Sequence, residues 1–166
     1  MANNIVQAFI DVSRKYERLP CVHFERDGVW NSLTWDEMRR KVLSLSVALK
    51  KIGLKRGNAA VIYSKTRYEW AIADFALMAI GAISVPAYHS FKLEKLSHII
   101  RDSGAKLIVV EDSELLEIAK TSVESLGKSD SIQLLSIDPC DGCRNLEGIM
   151  TGVAEGDLNE TLKTLE

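Results

Sequence analysis

The chain has 166 residues, of which 46% are hydrophobic and 27% charged, which suits one globular domain or part of a larger one. It has no apolar run of membrane-span length, no secretory signal pattern and no basic cluster interleaved with aromatics, so we expect a cytoplasmic protein that does not bind nucleic acid. The net charge of −2 hides an asymmetry, because residues 1–111 carry 17 Lys/Arg against 11 Asp/Glu and residues 112–166 carry 4 against 12. A basic first part can favour an anionic ligand, although solvated helices of different charge are the more frequent cause.

The first third of the chain predicts a helix, a β-hairpin and a second helix. Residues 4–19 carry apolar side chains at helical spacing. Residues 22–30 alternate on both sides of an Asp-Gly turn, which is typical of a hairpin. Thr34 and Glu37 have capping-box spacing, and the apolar positions that follow form a single stripe that is expected to face a core.

Residues 59–86 predict a strand, a helix and a second strand. The two strands are short apolar runs, as expected of strands that are covered on both faces. Thr66 and Glu69 have capping-box spacing, so the helix is expected to begin there, and Gly81 fits its exit. Pro86 is expected to end the second strand, because proline has no N–H for a sheet hydrogen bond. Such a unit implies a parallel pair of strands.

The remaining sequence repeats this alternation. We predict a helix over residues 93–103, a strand over 107–110, a helix that begins at Asp112 or Ser113, and a strand over 132–137. Four predicted strands thus alternate with three predicted helices. This order predicts an α/β fold with an open, mainly parallel sheet covered by helices.

The predicted elements divide the chain into three stretches. Residues 1–35 form a leading helix and hairpin, and residues 36–138 form the α/β core. Residues 139–166 are acidic and rich in Gly, Asn and Thr, so we expect an irregular tail. This tail has room for one short helix with the apolar residues Leu158, Leu162 and Leu165.

Ligands of open parallel sheets bind beyond the carboxyl ends of the strands. Three predicted loops lie there: residues 64–67, 87–91 and 111–113. None has the glycines that bring a backbone close to phosphate, and neither GxGxxG nor a Walker-type segment is present. His89 lies in one of these loops, but no nucleophile can be assigned to it. Asp74, a lone carboxylate on an apolar helix, is more often a hydrogen-bonded structural residue than a general base.

Cys140 and Cys143 form a CxxC pair that follows a predicted strand. Such a pair can be a thioredoxin-like redox site, or it can bind zinc together with Cys21 and His23. Against the first alternative, residues 144–148 do not predict a helix. Against the second, the pair has no partner of equal spacing, so a reduced pair in a loop is the simplest interpretation.

Four segments between residues 33 and 112 carry a resemblance to the adenylate-forming enzymes, the superfamily of acyl- and aryl-CoA synthetases and luciferases. Residues 33–38, L-T-W-D-E-M, resemble the L-T-[YW]-x-E-[LM] of that family, and residues 81–86, G-A-I-S-V-P, resemble its G-A-x-x-V-P. Residues 64–70, S-K-T-R-Y-E-W, are similar to the S-x-N-R-x-E-W of the long-chain fatty acyl-CoA synthetase branch, and residues 102–106 to the D-S-x-A-K of the same branch.

The resemblance implies the large N-terminal domain of an ATP-dependent ligase. In that family a carboxylate attacks ATP to give acyl-AMP, and CoA then displaces AMP, so ATP, Mg²⁺ and CoA are implied for the longer enzyme, and a peripheral membrane location is compatible with it. The family's phosphate-binding segment, T-S-G-[ST]-T-G-x-P-K-G, is absent from these 166 residues. We therefore expect an N-terminal fragment of a long-chain fatty acid–CoA ligase, inactive alone, with no cofactor or metal of its own. Its partner would be the rest of the synthetase, and Tyr88, His89 and Ser90 would line the acyl or CoA channel.

Two other interpretations stay open at this point. The chain can be a stand-alone flavodoxin-like module that binds an anionic small molecule. It can also be a non-catalytic interaction domain, because a sheet cut from its neighbours exposes apolar surface through which copies of the chain could associate.

Overall fold

The computed structural model describes residues 4–165 of the chain. The helices are α1 (Ile5–Lys15), α2 (Trp35–Lys51), α3 (Tyr68–Ala79), α4 (Leu93–Ser103), α5 (Ser113–Ser125), α6 (Leu146–Met150) and α7 (Glu155–Thr164). The strands are β1 (Pro20–Arg26), β2 (Val29–Thr34), β3 (Ala59–Ser64), β4 (Ile83–Tyr88), β5 (Leu107–Val110), β6 (Gln133–Ser136) and β7 (Arg144–Asn145). Within the described range, no helix is both long and apolar enough to cross a membrane.

The main sheet has five parallel strands in the order β4-β3-β5-β6-β7. The predicted α/β fold with an open parallel sheet covered by helices is therefore confirmed. The chain starts the sheet at β3, adds β4 on one side and then crosses to add β5 on the other. A separate antiparallel hairpin of β1 and β2 precedes the sheet.

Two hydrophobic layers cover the sheet, because β3 sends alternate side chains to opposite faces. Ala60 and Ile62 pack with α1, α2 and α3 on one face. Val61 and Tyr63 pack with α4 and α5 on the other. All six residues of β3 are buried, which explains why this strand is a continuous apolar run and not an alternating one.

Two local predictions in the first part of the chain are confirmed. Asp27 and Gly28 both have positive φ, at 53° and 76°, as the tight turn of a two-residue hairpin requires. Thr34 Oγ1 accepts a hydrogen bond from the Glu37 amide at 3.2 Å, and the Glu37 carboxylate accepts one from the Thr34 amide at 2.7 Å. This is a complete capping box at the start of α2.

The second predicted capping box is wrong. Helix α3 has Arg67 at its N-cap and no side-chain cap, because the Glu69 carboxylate is bound by the Arg67 guanidinium and Thr66 lies outside the helix. The burial predicted for α3 is confirmed, since none of its residues is exposed. Gly81, with φ of 71°, follows its C-terminus as predicted.

Pro86 does not end its strand, in contrast to our prediction. Strand β4 continues to Tyr88, which pairs with Ser64 of β3. The Ile83 amide donates to Asn58 O. The backbone N–H and C=O groups of Ile83 and of every second residue after it therefore point towards β3. The nitrogen of Pro86 therefore faces away from β3, at the open edge of the sheet, where no N–H is needed.

Residues 139–166 are more ordered than their composition indicates. Strand β7 pairs with β6 and adds a fifth strand that the sequence did not predict. Asn145 caps α6 by accepting a hydrogen bond from the Gly148 amide at 2.7 Å, although residues 144–148 had not predicted a helix. The short helix predicted at Leu158 and Leu162 is confirmed as α7, whose Leu158 packs against α2.

Candidate functional site

The carboxyl edge of the sheet brings two of the three predicted loops together. Strands β3 and β5 are neighbours in the sheet but are separated in the chain by β4, so the chain reverses direction across the sheet between them. A crevice forms at such a switch point, and it is the usual ligand site of open α/β sheets. Residues 64–67 and 111–113 lie there, whereas residues 87–91 lie at the outer edge beyond β4.

Arg67 occupies the centre of this edge. Its Nε and one terminal nitrogen donate to the Glu69 carboxylate at 2.8 and 3.0 Å. Its two terminal nitrogens also donate to the Asp138 carboxylate, at 3.1 and 3.0 Å. Glu111 approaches one of them at 3.7 Å. One guanidinium is thus shared by three carboxylates, which come from the first turn of α3, the end of β5 and the stretch after β6.

Glu111 joins the loop after β3 to this cluster. Its side chain is 10% exposed, and it accepts a hydrogen bond from the Lys65 amide at 2.7 Å. The Ser64 hydroxyl lies 3.4 Å from the same carboxylate oxygen. A buried carboxylate needs such partners, so Glu111 fixes the backbone that leads from β3 into α3.

The charges of the cluster are mutually stabilised. The hydrogen bonds that Arg67 donates to Glu69 raise the pKa of Arg67, so the guanidinium stays charged under all ordinary conditions. Burial raises the pKa of Glu69, but the hydrogen bonds from Arg67 outweigh it and leave that pKa below the ordinary value of 4.5. An arginine paired in this way has little capacity left for an incoming phosphate.

Two clefts lie on either side of the Arg67–Glu69 pair. The first, of about 660 Å³, lies between the hairpin and the loop after β3 and includes Phe24, Trp30 and Lys65. The second, of about 400 Å³, lies between α3 and the stretch after β6. Arg26 borders both clefts, donates to the Tyr68 hydroxyl at 3.3 Å and lies 3.5 Å from Glu69.

The predicted channel residues lie at a third site. Tyr88 ends β4 with 74% of its surface exposed, and it borders a groove of about 290 Å³. The groove is also lined by Ser64, Thr66, Trp70, Pro86 and Ala87. Tyr88 makes an edge-to-face contact with Phe91, with ring centroids 5.4 Å apart. His89 and Ser90 are exposed in the turn that follows.

Other candidate residues are dispersed. Asp74 is half-buried on α3 and lines none of the three clefts. Cys140 and Cys143 carry free thiols. Over residues 4–165, no group of three or more His, Cys, Asp or Glu is placed to hold a metal ion, so the zinc alternative, in which Cys21 and His23 would join the pair, has no ligand group there.

The roles of Arg67, Glu111 and Asp138 were not predicted from the sequence. A usable signal was present, since Glu111 directly follows β5 and Asp138 lies two residues after β6. Carboxyl ends of parallel strands meet at one edge of the sheet, so acidic residues there and a basic residue after β3 predict an ion cluster.

Comparison with known proteins gives a consistent result at the family level. The family described as AMP-binding enzyme matches residues 9–150. The long-chain-fatty-acid–CoA ligase FadD15 of Mycobacterium tuberculosis is 34% identical over 114 residues, which are 68% of this chain and 19% of that protein. The 3-hydroxypropionyl-coenzyme A synthetase of Sulfurisphaera tokodaii is 29% identical over 128 residues, which are 74% of this chain and 19% of that protein. The chain thus spans about a fifth of the length of these curated relatives.

Solved structures share the fold at low sequence identity. The apo structure of Mycobacterium smegmatis MbtA matches with a TM-score of 0.80 and 18% identity, over 93% of this chain and 28% of that one. A benzoate CoA ligase from Burkholderia xenovorans matches with a TM-score of 0.77 and 14% identity, over 91% of this chain and 29% of that one.

Proposed function

The chain belongs to the AMP-binding enzyme family, and from this premise we propose that it supplies the first α/β segment of a long-chain fatty acid–CoA ligase. Its sequence identity of 34% with FadD15 supports this substrate class. The overall reaction would join a fatty acid to CoA with ATP and Mg²⁺, through an acyl-adenylate. The comparisons do not favour the alternative of a stand-alone module that binds an anion.

The described residues do not fit the phosphates of ATP. The loop after β3, residues 64–67, has no glycine at the position where a backbone would approach phosphate. The one guanidinium at the switch point is surrounded by Glu69, Glu111 and Asp138, which would repel a phosphate. We therefore assign no step of the reaction to this edge of the sheet.

The observation that carries the proposal is the pairing of Arg67 with carboxylates that follow three different strands. Residues 64–70 resemble the long-chain branch, and their arginine and glutamate bind each other. The segment would therefore serve as a scaffold that fixes the loops after β3, β5 and β6. We propose that the 166-residue chain has no adenylation activity of its own.

Pyrophosphate exchange tests the absence of activity. The purified 166-residue chain is incubated with ATP, Mg²⁺, labelled pyrophosphate and palmitate, beside intact FadD15 as the positive control. We expect no exchange above the blank with palmitate or with shorter acids. Exchange that depends on a fatty acid would contradict this part of the proposal.

A chimera tests the substrate class. The matched 114-residue segment of FadD15 is replaced by the corresponding segment of this chain. We expect the chimera to catalyse exchange with long-chain fatty acids and to keep the chain-length preference of FadD15. A chimera that has native circular dichroism and binds ATP but shows no exchange with long chains would contradict the proposal.

For the third site, we propose that Tyr88, His89 and Ser90 contribute to the wall of the acyl or CoA channel. Two observations support this. Tyr88 borders an apolar groove beside Trp70, and the turn of His89 and Ser90 follows directly at the carboxyl edge of the sheet. The aromatic side chains of the groove suit an acyl chain better than a phosphate.

A further inference from the structure

The CxxC segment forms a tight turn between β6 and β7. The Cys143 amide donates to the Cys140 carbonyl at 3.2 Å, and the two residues form an isolated antiparallel bridge. Gly142, the third residue of the turn, has φ of 70°, a value that a type II turn requires at this position and that glycine adopts without strain. The backbone itself therefore holds the two cysteines opposite each other.

This geometry is close to that of a disulfide. Side chains of directly opposite residues in an antiparallel pair lie on the same face, with Cβ atoms roughly 4.5–5.5 Å apart. A disulfide needs Cβ atoms about 3.5–4.5 Å apart, and a hydrogen-bonded pair such as this one lies at the wide end of the range, so closure requires a shift of roughly 1–2 Å. Cys140 and Cys143 are both half-buried and pack against the same hydrophobic layer, on the side of α4 and α5.

Oxidation would remove only weak hydrogen bonds from the two thiols. Cys140 Sγ lies 3.4 Å from its acceptor Asp138 O, and Cys143 Sγ lies 3.6 Å from Leu134 O and 3.5 Å from Arg144 O, all of them weak contacts. The third cysteine, Cys21, packs on the opposite layer with α1, α2 and α3, so it does not compete for either sulfur.

We propose that Cys140 and Cys143 form a reversible intrachain disulfide when the chain meets a small-molecule disulfide. The Cys140 thiolate attacks one sulfur of that molecule, which breaks its S–S bond and releases one thiol. The Cys143 thiol then loses its proton to solvent and attacks Cys140 Sγ, which releases the second thiol. The protein loses two electrons and two protons, and the small disulfide gains them.

The order of attack follows from the surroundings of the two sulfurs. Burial raises the pKa of Cys143, which makes its thiolate scarce and leaves Cys140 as the first nucleophile. The pair differs from that of a thiol oxidoreductase, whose reactive cysteine lies at a helix N-terminus. Here α6 begins only at Leu146 and has five residues. The turn is thus a site of modification and not a catalyst.

Oxidation would act on the segment that connects Asp138, a partner of Arg67, to the outer strand β7. Asp138, which binds Arg67, lies two residues before Cys140, and β7 begins directly after Cys143. Pro139 and Asn145, which flank the turn, both line the second cleft. A disulfide would fix the backbone on this side of the cleft.

Thiol counting under oxidised glutathione tests the proposal. The folded 166-residue chain is equilibrated with oxidised and reduced glutathione over a range of ratios, quenched with acid, alkylated with a maleimide and analysed by intact mass spectrometry. We expect a monomer that has lost about 2 Da and two of its three reactive thiols, and that dithiothreitol restores. Peptide mapping should place the bond between Cys140 and Cys143.

Three single substitutions serve as controls. Cys21→Ser should give the same loss of two thiols as the unaltered chain. Cys143→Ser should stop at a glutathione adduct on Cys140, because the resolving thiol is missing. Cys140→Ser should form its glutathione adduct more slowly than Cys143→Ser does. A chain that keeps three free thiols at the most oxidising ratio, a disulfide that includes Cys21, or a covalent dimer would overturn the proposal.

Discussion

The Asp138 carboxylate accepts two hydrogen bonds from the Arg67 guanidinium, at 3.1 and 3.0 Å, across a separation of 71 residues. Arg67 lies at the N-cap of α3, and Asp138 follows β6. The pair therefore connects the exits of two strands that are not neighbours in the sheet, since β5 lies between them. Glu69 and Glu111 complete the surroundings of the same guanidinium.

Replacement of Arg67 by alanine should destabilise the fold severely. It would leave three partly buried carboxylates without their shared cation, and loss of one partner of a buried ion pair costs about 3–5 kcal/mol. The Arg67 side chain is 22% exposed, so we expect a loss of about 2–4 kcal/mol in the free energy of unfolding. Urea denaturation followed by circular dichroism measures it.

Arg18→Ala is the matched control for that measurement. Arg18 is 93% exposed and has only a 3.8 Å contact with Glu17, so its removal should change the free energy of unfolding by less than about 0.5 kcal/mol. Equal effects of Arg18→Ala and Arg67→Ala would show that the cluster does not stabilise the fold.

The stability of the chain should depend on pH through Glu69. Its pKa is lower in the folded chain than the ordinary 4.5, because the hydrogen bonds from Arg67 outweigh the effect of burial. A depressed pKa contributes stability that is present above the unfolded pKa and lost as the pH falls through the folded one. The contribution should thus be complete above about pH 5.5 and decrease between about pH 5 and pH 3.

Glu69→Gln isolates this contribution. The difference in free energy of unfolding between the unaltered chain and the variant, measured by urea denaturation, should be constant near neutral pH and shrink towards pH 3. A difference that stays constant down to pH 3 would mean that the ionisation of Glu69 is not linked to folding.

The two capping-box patterns of the sequence should respond differently to the same substitution. Thr34→Ala removes an acceptor that binds the Glu37 amide at the start of α2, and such losses cost about 1 kcal/mol. Thr66→Ala should change stability by less than about 0.5 kcal/mol, because Thr66 is exposed and does not cap α3. Thermal unfolding of the two variants measures the difference, and equal shifts would contradict the structure.

The same pair of residues shows why local patterns predict some elements and not others. Thr34 and Glu37 bind each other and the backbone at the start of α2, so their spacing in the sequence was enough to predict the capping box. Glu69 has the same spacing from Thr66, but Arg67 lies between them and binds its carboxylate. Arg67 is itself held in place by Asp138, which lies 71 residues further along the chain, so the local sequence cannot predict this contact.

The sheet shows a similar division between local and long-range causes. Strands β3 and β5 were predictable because both of their faces are apolar. The burial predicted for β4 is wrong, since Ile83, Pro86 and Tyr88 are exposed on this strand. Pro86 was misinterpreted because only the strand order shows that β4 is an edge strand. Strand β7 has two residues, and no apolar pattern can exist over such a length, so only its pairing with β6 defines it.

The sequence indicated where in the fold the candidate site lies but did not predict the ion cluster that occupies it. The sequence predicted three loops at the carboxyl edge, after β3, β4 and β5, and two of them, those after β3 and β5, meet at the switch point. That the edge holds an ion cluster depends on Glu111 and Asp138 converging on one guanidinium. That convergence follows from the strand order, which periodicity alone does not give.

Tyr88 should influence the acyl chain-length preference without a role in stability. Tyr88 is 74% exposed at the border of the groove that includes Trp70, so the folded chain gains little stability from its side chain. In the chimera with FadD15, Tyr88→Ala should raise the KM for long-chain fatty acids several-fold, because partial burial of an aromatic side chain by the acyl chain contributes about 1 kcal/mol to binding. The KM for ATP should not change.

Ile83→Ala is the matched control in the same chimera. Ile83 lies on the same edge strand and is 55% exposed, but it is at the amino end of β4, away from the groove. We expect unchanged KM values for fatty acid and ATP, and unfolding free energies of both variants within about 0.5 kcal/mol of the parent. If Tyr88→Ala leaves the fatty acid KM unchanged while Ile83→Ala raises it, the acyl channel does not pass along the groove that Tyr88 borders.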